Sequence, residues 1–248
     1  MSSWALLGSG EFEPWSEVAD RWLLEQATGD GRVVIAPTAS SREGDAVFEE
    51  WGRKGLDHFA SIDVEAEVLP VRTRDDADRD ELAARLEEAS VVYFSGGNPA
   101  HLSAVLRDTA VCAALLRGMA RGMGYAGCSA GVACLTETTF DSDSDDFDAI
   151  FKPGLGIVRE TLFGPHWDMI DTWVPGASEF IVSSVADGHA FVGIDEQTAM
   201  LGDGAHWQVR GRGGVHVRRD GEFARYGDGD RFDLPLPIDG RGTLTPHA

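Results

Sequence analysis

The sequence predicts an α/β protein in which a mostly parallel sheet is sandwiched by helices, with antiparallel strands added toward the C-terminus. Short apolar runs end in turn chemistry, each is followed by a segment of helical period, and the runs are continuously apolar rather than alternating. Strands alternating with helices imply βαβ units, and continuous apolarity suits a sheet covered on both faces. Residues 4–7 end at Gly8-Ser9-Gly10, and residues 33–36 at Pro37-Thr38-Ala39-Ser40. Residues 64–71 are rich in β-branched side chains, and residues 91–94 end at Ser95-Gly96-Gly97-Asn98. Between them, residues 15–28, 46–59 and 79–89 carry apolar side chains three and four apart, the helical spacing. Two successive helices are expected over 101–123, then a strand over 124–127 leading to Ser129. Past Phe140 come an acidic run, a Gly-rich connection and a helix near 178–186. Strand-like pieces at 190–194, 199–201, 207–209 and 215–218 follow, the later ones separated by glycine turns. No internal repeat and no Ser/Pro-rich linker divides the chain. One domain over 1–220 and a polar extension over 221–248 is the expected organisation.

The 248 residues carry 21 basic against 42 acidic side chains, a formal net charge of -21. Nucleic acid and anionic membrane surfaces are therefore excluded as partners, since both require a basic face. Cys112, Cys128 and Cys134 form neither a disulfide framework nor a CxxC metal knuckle. Reduced thiols, a start without signal-peptide character and no apolar run of membrane-spanning length predict a soluble, cytoplasmic protein.

Gly127-Cys128-Ser129-Ala130-Gly131 fits G-x-S-x-G, the tight strand-to-helix turn that exposes a nucleophilic hydroxyl and aims backbone N–H groups at an oxyanion. A serine needs a base. His166, in Phe163-Gly164-Pro165-His166-Trp167, is preferred, with His101, His189 and His206 open. The run from Asp141 to Asp148 can supply the carboxylate that orients the imidazole. It is not a calcium loop, because Asp146 and Lys152 stand where glycine and glutamate are needed. Asn98 and Pro99 read as N-cap and first helical residue, and the Gly97 N–H as a second oxyanion donor. Gly8-Ser9-Gly10 fails as a dinucleotide loop, with Glu13 at the third glycine position, and no Walker A sequence exists. No cofactor or metal is expected.

Six pieces in order resemble the serine-peptidase family that contains aspartyl dipeptidase (peptidase E) and cyanophycinase. They are Leu6-Leu7-Gly8-Ser9-Gly10-Glu11, Pro37-Thr38-Ala39-Ser40, Phe94-Ser95-Gly96-Gly97-Asn98, Cys128-Ser129-Ala130-Gly131, Gly154-Leu155-Gly156 leading to Pro165-His166-Trp167, and the segment from Gly193 to Ala199. The resemblance implies a class I glutamine amidotransferase-like sandwich with serine in place of cysteine. It implies Ser129 as nucleophile, His166 as base, and the Gly97 and Ala130 amides as oxyanion donors. It further implies an acid between Ser129 and His166: Asp141, which follows Thr138-Thr139, with Asp143 and Asp145 as alternatives. The expected substrate is a small peptide or amide, and the expectation is compatible with a homodimer. Residues 167–178 lack the basic side chains of aspartate-specific members and include Asp168 and Asp171, against an aspartyl or cyanophycin-like substrate. Two other readings stand beside this one: an α/β-hydrolase-type esterase, whose base would be His206, His216 or His247, and a non-catalytic metabolite-binding sandwich domain.

Overall fold

The computed structural model describes residues 2–144, 146 and 149–239. Val33 to Ala36 are all buried, and they explain the continuous apolar runs. Val33 and Ile35 enter one apolar cluster, while Val34 and Ala36 enter a second on the opposite face of the sheet. Leu6 and Leu7, and Val92 and Tyr93, divide in the same way. The two-residue period of a strand is thus satisfied with apolar side chains on both faces.

In chain order the first half contains β1 (Trp4–Leu7), α1 (Glu17–Gln26), β2 (Val33–Ala36), a 3-10 stretch at Thr38–Glu43, α2 (Asp45–Ser61) and β3 (Ala66–Val68). Two short helices, α3 (Arg74–Ala77) and α4 (Asp80–Ala84), stand where one was expected over 79–89. A capping box between Thr73 and Asp76 starts the first of them earlier than the apolar spacing suggests. There follow β4 (Val91–Phe94), α5 (Pro99–Leu106), α6 (Ala110–Ala120), β5 (Gly124–Cys128) and α7 (Ala130–Ala133). Asn98 caps α5 by accepting the His101 N–H at 2.8 Å, with Pro99 as the first helical residue.

The second half holds β6 (Thr138–Phe140), β7 (Phe151–Pro153), β8 (Thr161–Pro165), α8 (Ile170–Trp173), α9 (Ala177–Ser183) and β9 (Ala190–Ile194). It ends with β10 (Thr198–Gly202), β11 (His206–Gly211), β12 (Gly214–Arg219), β13 (Glu222–Gly227) and β14 (Arg231–Asp233). Among the described residues the main sheet has the order β14-β11-β10-β1-β5-β4-β2-β3. Its pairs from β1 through β3 are parallel, whereas β10, β11 and β14 add antiparallel.

Two features depart from the expectation. Residues 190–194 and 215–218 were read as additions to the main sheet, but β9 and β12 join β8 and β13 in a second sheet of order β13-β12-β9-β8. Strand β8 itself lies inside what was read as connection. The chain after residue 220 is also no simple extension: β13 pairs with β12, and β14 closes the edge of the main sheet against β11. Its polar composition reflects edge strands that are largely exposed. No helix among the described residues is long and apolar enough to cross a membrane.

Candidate active site

The parallel strands β1, β4 and β5 all deliver their C-terminal ends to one side of the main sheet, where open α/β sheets carry their sites. Ser129 follows β5 directly and has φ 50° and ψ -104°, a conformation that costs a non-glycine residue energy and persists only where its surroundings enforce it. The flanking glycines are needed for close approach. A Cβ at Gly127 would stand 2.4 Å from the Gly131 carbonyl oxygen, and one at Gly131 2.4 Å from that of Phe94.

His166 follows β8 and is also left-handed, at φ 54°. The Ser129 hydroxyl donates to His166 Nε2 at 2.8 Å, and Nδ1–H donates to Glu196 Oε1 at 3.1 Å. Strand register explains the second contact. In the parallel β8–β9 pair Pro165 stands opposite Ile194, so the residues just beyond each strand emerge side by side. The Glu196 segment is itself held in place. Asp168 accepts the Glu196 N–H at 2.8 Å, and Ser9 Oγ accepts the Gln197 N–H at 3.1 Å.

The carboxylate that meets His166 in this geometry follows the histidine in the chain, whereas the expectation placed an acid between Ser129 and His166. Asp141 accepts from Asn98 Nδ2 at 2.5 Å, and Asp143 accepts from the same amide at 3.0 Å. Arg42 lies 3.5 Å from Asp141 and 3.4 Å from Asp143. The Asn98 amide, with further help from the Asp143 N–H and Arg42, holds the Asp141 carboxyl below its ordinary value despite some burial. These groups brace α5 and the β6–β7 ribbon rather than the imidazole. Asp145 lies outside the described residues. Glu196 was visible in the Gly193 to Ala199 segment, but only strand pairing brings it to His166.

Three of the other candidate histidines are engaged elsewhere, and His189 borders a different cavity, beside Glu137 and Thr161. His101 Nε2 meets Ser41 Oγ at 2.8 Å, His206 pairs with Asp203 at 3.0 Å, and His216 with Asp195 at 2.9 Å. His247 lies outside the described residues. Trp167 does not form the wall of the site. Its ring packs against Phe191, 4.5 Å between centroids, and over Gly193, while Trp173 is the aromatic beside His166, at 5.2 Å.

Gly97 sits on the loop after β4, with φ 135° and a would-be Cβ only 2.5 Å from the Ala39 carbonyl carbon, so only glycine fits. Ala130 begins α7, where first-turn N–H groups lack helical acceptors. Glu11 ties this loop to the serine turn. Its Oε1 accepts the Gly96 N–H at 2.7 Å and its Oε2 accepts the Cys128 thiol at 2.9 Å. Burial first, and then the neighbouring Glu11 charge, push the Cys128 thiol well above its ordinary pKa, so it stays a donor. In the sequence Glu11 simply closes the glycine-rich segment Gly8-Ser9-Gly10-Glu11, and no local signal marks this role. No group of three or more His, Cys, Asp or Glu side chains among the described residues could hold a metal ion.

A profile of Peptidase family S51 matches residues 4–210. The chain belongs to peptidase family S51. It is accordingly a serine-type peptidase. Cyanophycinases from Synechococcus elongatus and Thermosynechococcus vestitus are each 31% identical to this S51 chain over 226 residues, 87% of this chain and 68% of theirs. A solved structure of a peptidase from an acI-B1 Actinobacterium superposes with a TM-score of 0.86 at 27% identity, covering 94% of this S51 chain and 97% of its own.

Proposed function

We propose that the chain hydrolyses a small peptide or amide as a dipeptidase- or exopeptidase-like enzyme, with Ser129 as nucleophile, His166 as base and Glu196 as the orienting carboxylate. Ser129 Oγ attacks the carbonyl carbon while His166 Nε2 takes its proton. Glu196 fixes the tautomer and stabilises the imidazolium. The Gly97 and Ala130 N–H groups receive the oxyanion, a contribution of about 3 kcal/mol per donor in such sites. Protonated His166 then gives its proton to the leaving amine, and water repeats the cycle on the acyl-enzyme. The observation that carries the reading is the 2.8 Å contact between Ser129 Oγ and His166 Nε2, with Nδ1 on a carboxylate. Both side chains border one cavity of about 340 Å³, so a substrate can reach them. Three free, buried thiols suit a reducing compartment, and a cytoplasmic setting belongs to the same reading.

A fluorophosphonate probe tests the proposal: one adduct is expected on Ser129 and none in Ser129→Ala. Equal labelling of the variant would sink the assignment. The esterase reading would place the base at a later histidine; the engagement of His206 with Asp203 and of His216 with Asp195 speaks against it.

A further inference from the structure

The cavity that reaches Ser129 is walled by apolar side chains from three sources. Phe140 and Phe151 come from the β6–β7 ribbon, Leu162 from β8, and Ile170, Trp173 and Ile181 from α8 and α9. Gly97, Ser129 and His166, the groups that would surround a carbonyl under attack, also line the cavity. No lysine or arginine lines it among the described residues. Arg42, beside the neighbouring Asp141 and Asp143, is already matched by those two carboxylates. Two of the lining side chains, Trp173 and Val174, are 53% and 40% exposed, large apolar surfaces left in water.

We propose that this cavity is the specificity pocket and that it takes a bulky apolar side chain, of leucine, methionine or phenylalanine type, on the residue that supplies the scissile carbonyl. The inference rests on Ser129 being the nucleophile and goes beyond it by naming the substrate class. An aspartyl side chain entering here would lose its water with no cation to meet it among the described lining residues, and a charged arginyl chain would meet no carboxylate among them. An apolar chain gains from the same desolvation, which favours it on the order of 10- to 100-fold. The volume of about 340 Å³ stands at the small end of ligand pockets, enough for one residue rather than a long chain.

The test uses diphenyl aminoalkylphosphonates with a free amine and a leucine-, phenylalanine-, aspartate- or lysine-type side chain. Ser129 Oγ bonds to phosphorus, phenol leaves with the proton carried by His166, and intact mass gives the inactivation rate. The leucine and phenylalanine probes are expected to react 10- to 100-fold faster than the charged ones. Ile181→Arg should narrow or reverse the leucine-to-aspartate ratio. Equal rates, faster charged probes, or no phosphonate adduct on a Ser129 that a small fluorophosphonate still labels would overturn the pocket assignment alone. Failure of the fluorophosphonate as well would overturn the nucleophile, and the pocket assignment with it.

Discussion

Two regions among the described residues hold a serine, a histidine and an acid in hydrogen-bond contact, and they differ in the order of the three groups. At the candidate site the order is serine, imidazole, carboxylate, with Ser129 on His166 Nε2 and Glu196 on Nδ1. Beneath α1 and α2 the carboxylate is in the middle. Asp20 Oδ2 accepts from Ser16 Oγ at 3.0 Å and from His58 Nε2 at 2.8 Å, so the imidazole never touches the hydroxyl. Ser16 and Asp20 are buried in the interior, whereas Ser129 borders a cavity. Burial outweighs the His58 and Ser16 contacts and raises the Asp20 carboxyl above its ordinary pKa. The difference shows that residue types do not make a triad. Catalysis needs the imidazole between the other two groups, a strained turn that presents the hydroxyl, and an open path to it.

The largest expected effect separates the two serines. Ser129→Ala should lower kcat by roughly 10⁴-fold or more, since triad members act as a unit. Ser16→Ala should leave kcat in place and cost about 1 to 2 kcal/mol, a fall in Tm of roughly 2 to 8 °C by calorimetry. An intact kcat in Ser129→Ala would dissolve the distinction.

Next comes the choice of acid. Glu196→Gln should reduce kcat by about 10² to 10⁴-fold by losing the tautomer and the imidazolium partner. Asp141→Asn, which alters the contacts with Asn98, Arg42 and the Asp143 N–H, should stay within about tenfold. Steady-state rates on one substrate compare them, and the reverse ranking would return the acid to the run after β6.

The smallest effect concerns a third acid–histidine pair that has no serine. Burial alone would raise the Asp195 carboxyl, but the contact with His216, the Gly214 N–H and Arg225 together outweigh it and hold the pKa below its ordinary 3.8. A depressed carboxylate stabilises the fold above the unfolded-state pKa and loses that contribution as pH falls through the folded value. Asp195→Asn should therefore cost about 2 kcal/mol near neutrality, and the gap to wild type should close below pH of about 4. Urea titrations between pH 3 and 7 measure it, and a gap that widens in acid would assign Asp195 no such role.

Much of the main sheet could be read from short-range pattern. The runs at 4–7, 33–36 and 91–94 coincide with β1, β2 and β4, because a strand buried on both faces leaves an unmistakable apolar signature. The second sheet was harder. Strand β8 contains Gly164 and Pro165, which read as turn, and the partnership of β8 with β9 joins segments far apart in the chain. Trp167 follows His166 directly, yet its ring packs against Phe191, because consecutive residues past a strand end need not face the same way.

The local sequence by itself determined part of the serine turn, since Gly127 is dictated by the nearby Gly131 carbonyl, whereas Gly131 is required by Phe94 on the neighbouring strand β4. It also determined the capped start of α5 and the family to which the chain belongs. Which carboxylate meets His166 was decided by tertiary structure alone. That contact depends on parallel register between β8 and β9, and hydrogen-bond pairing across a sheet is a property of two distant segments, written in neither of them separately.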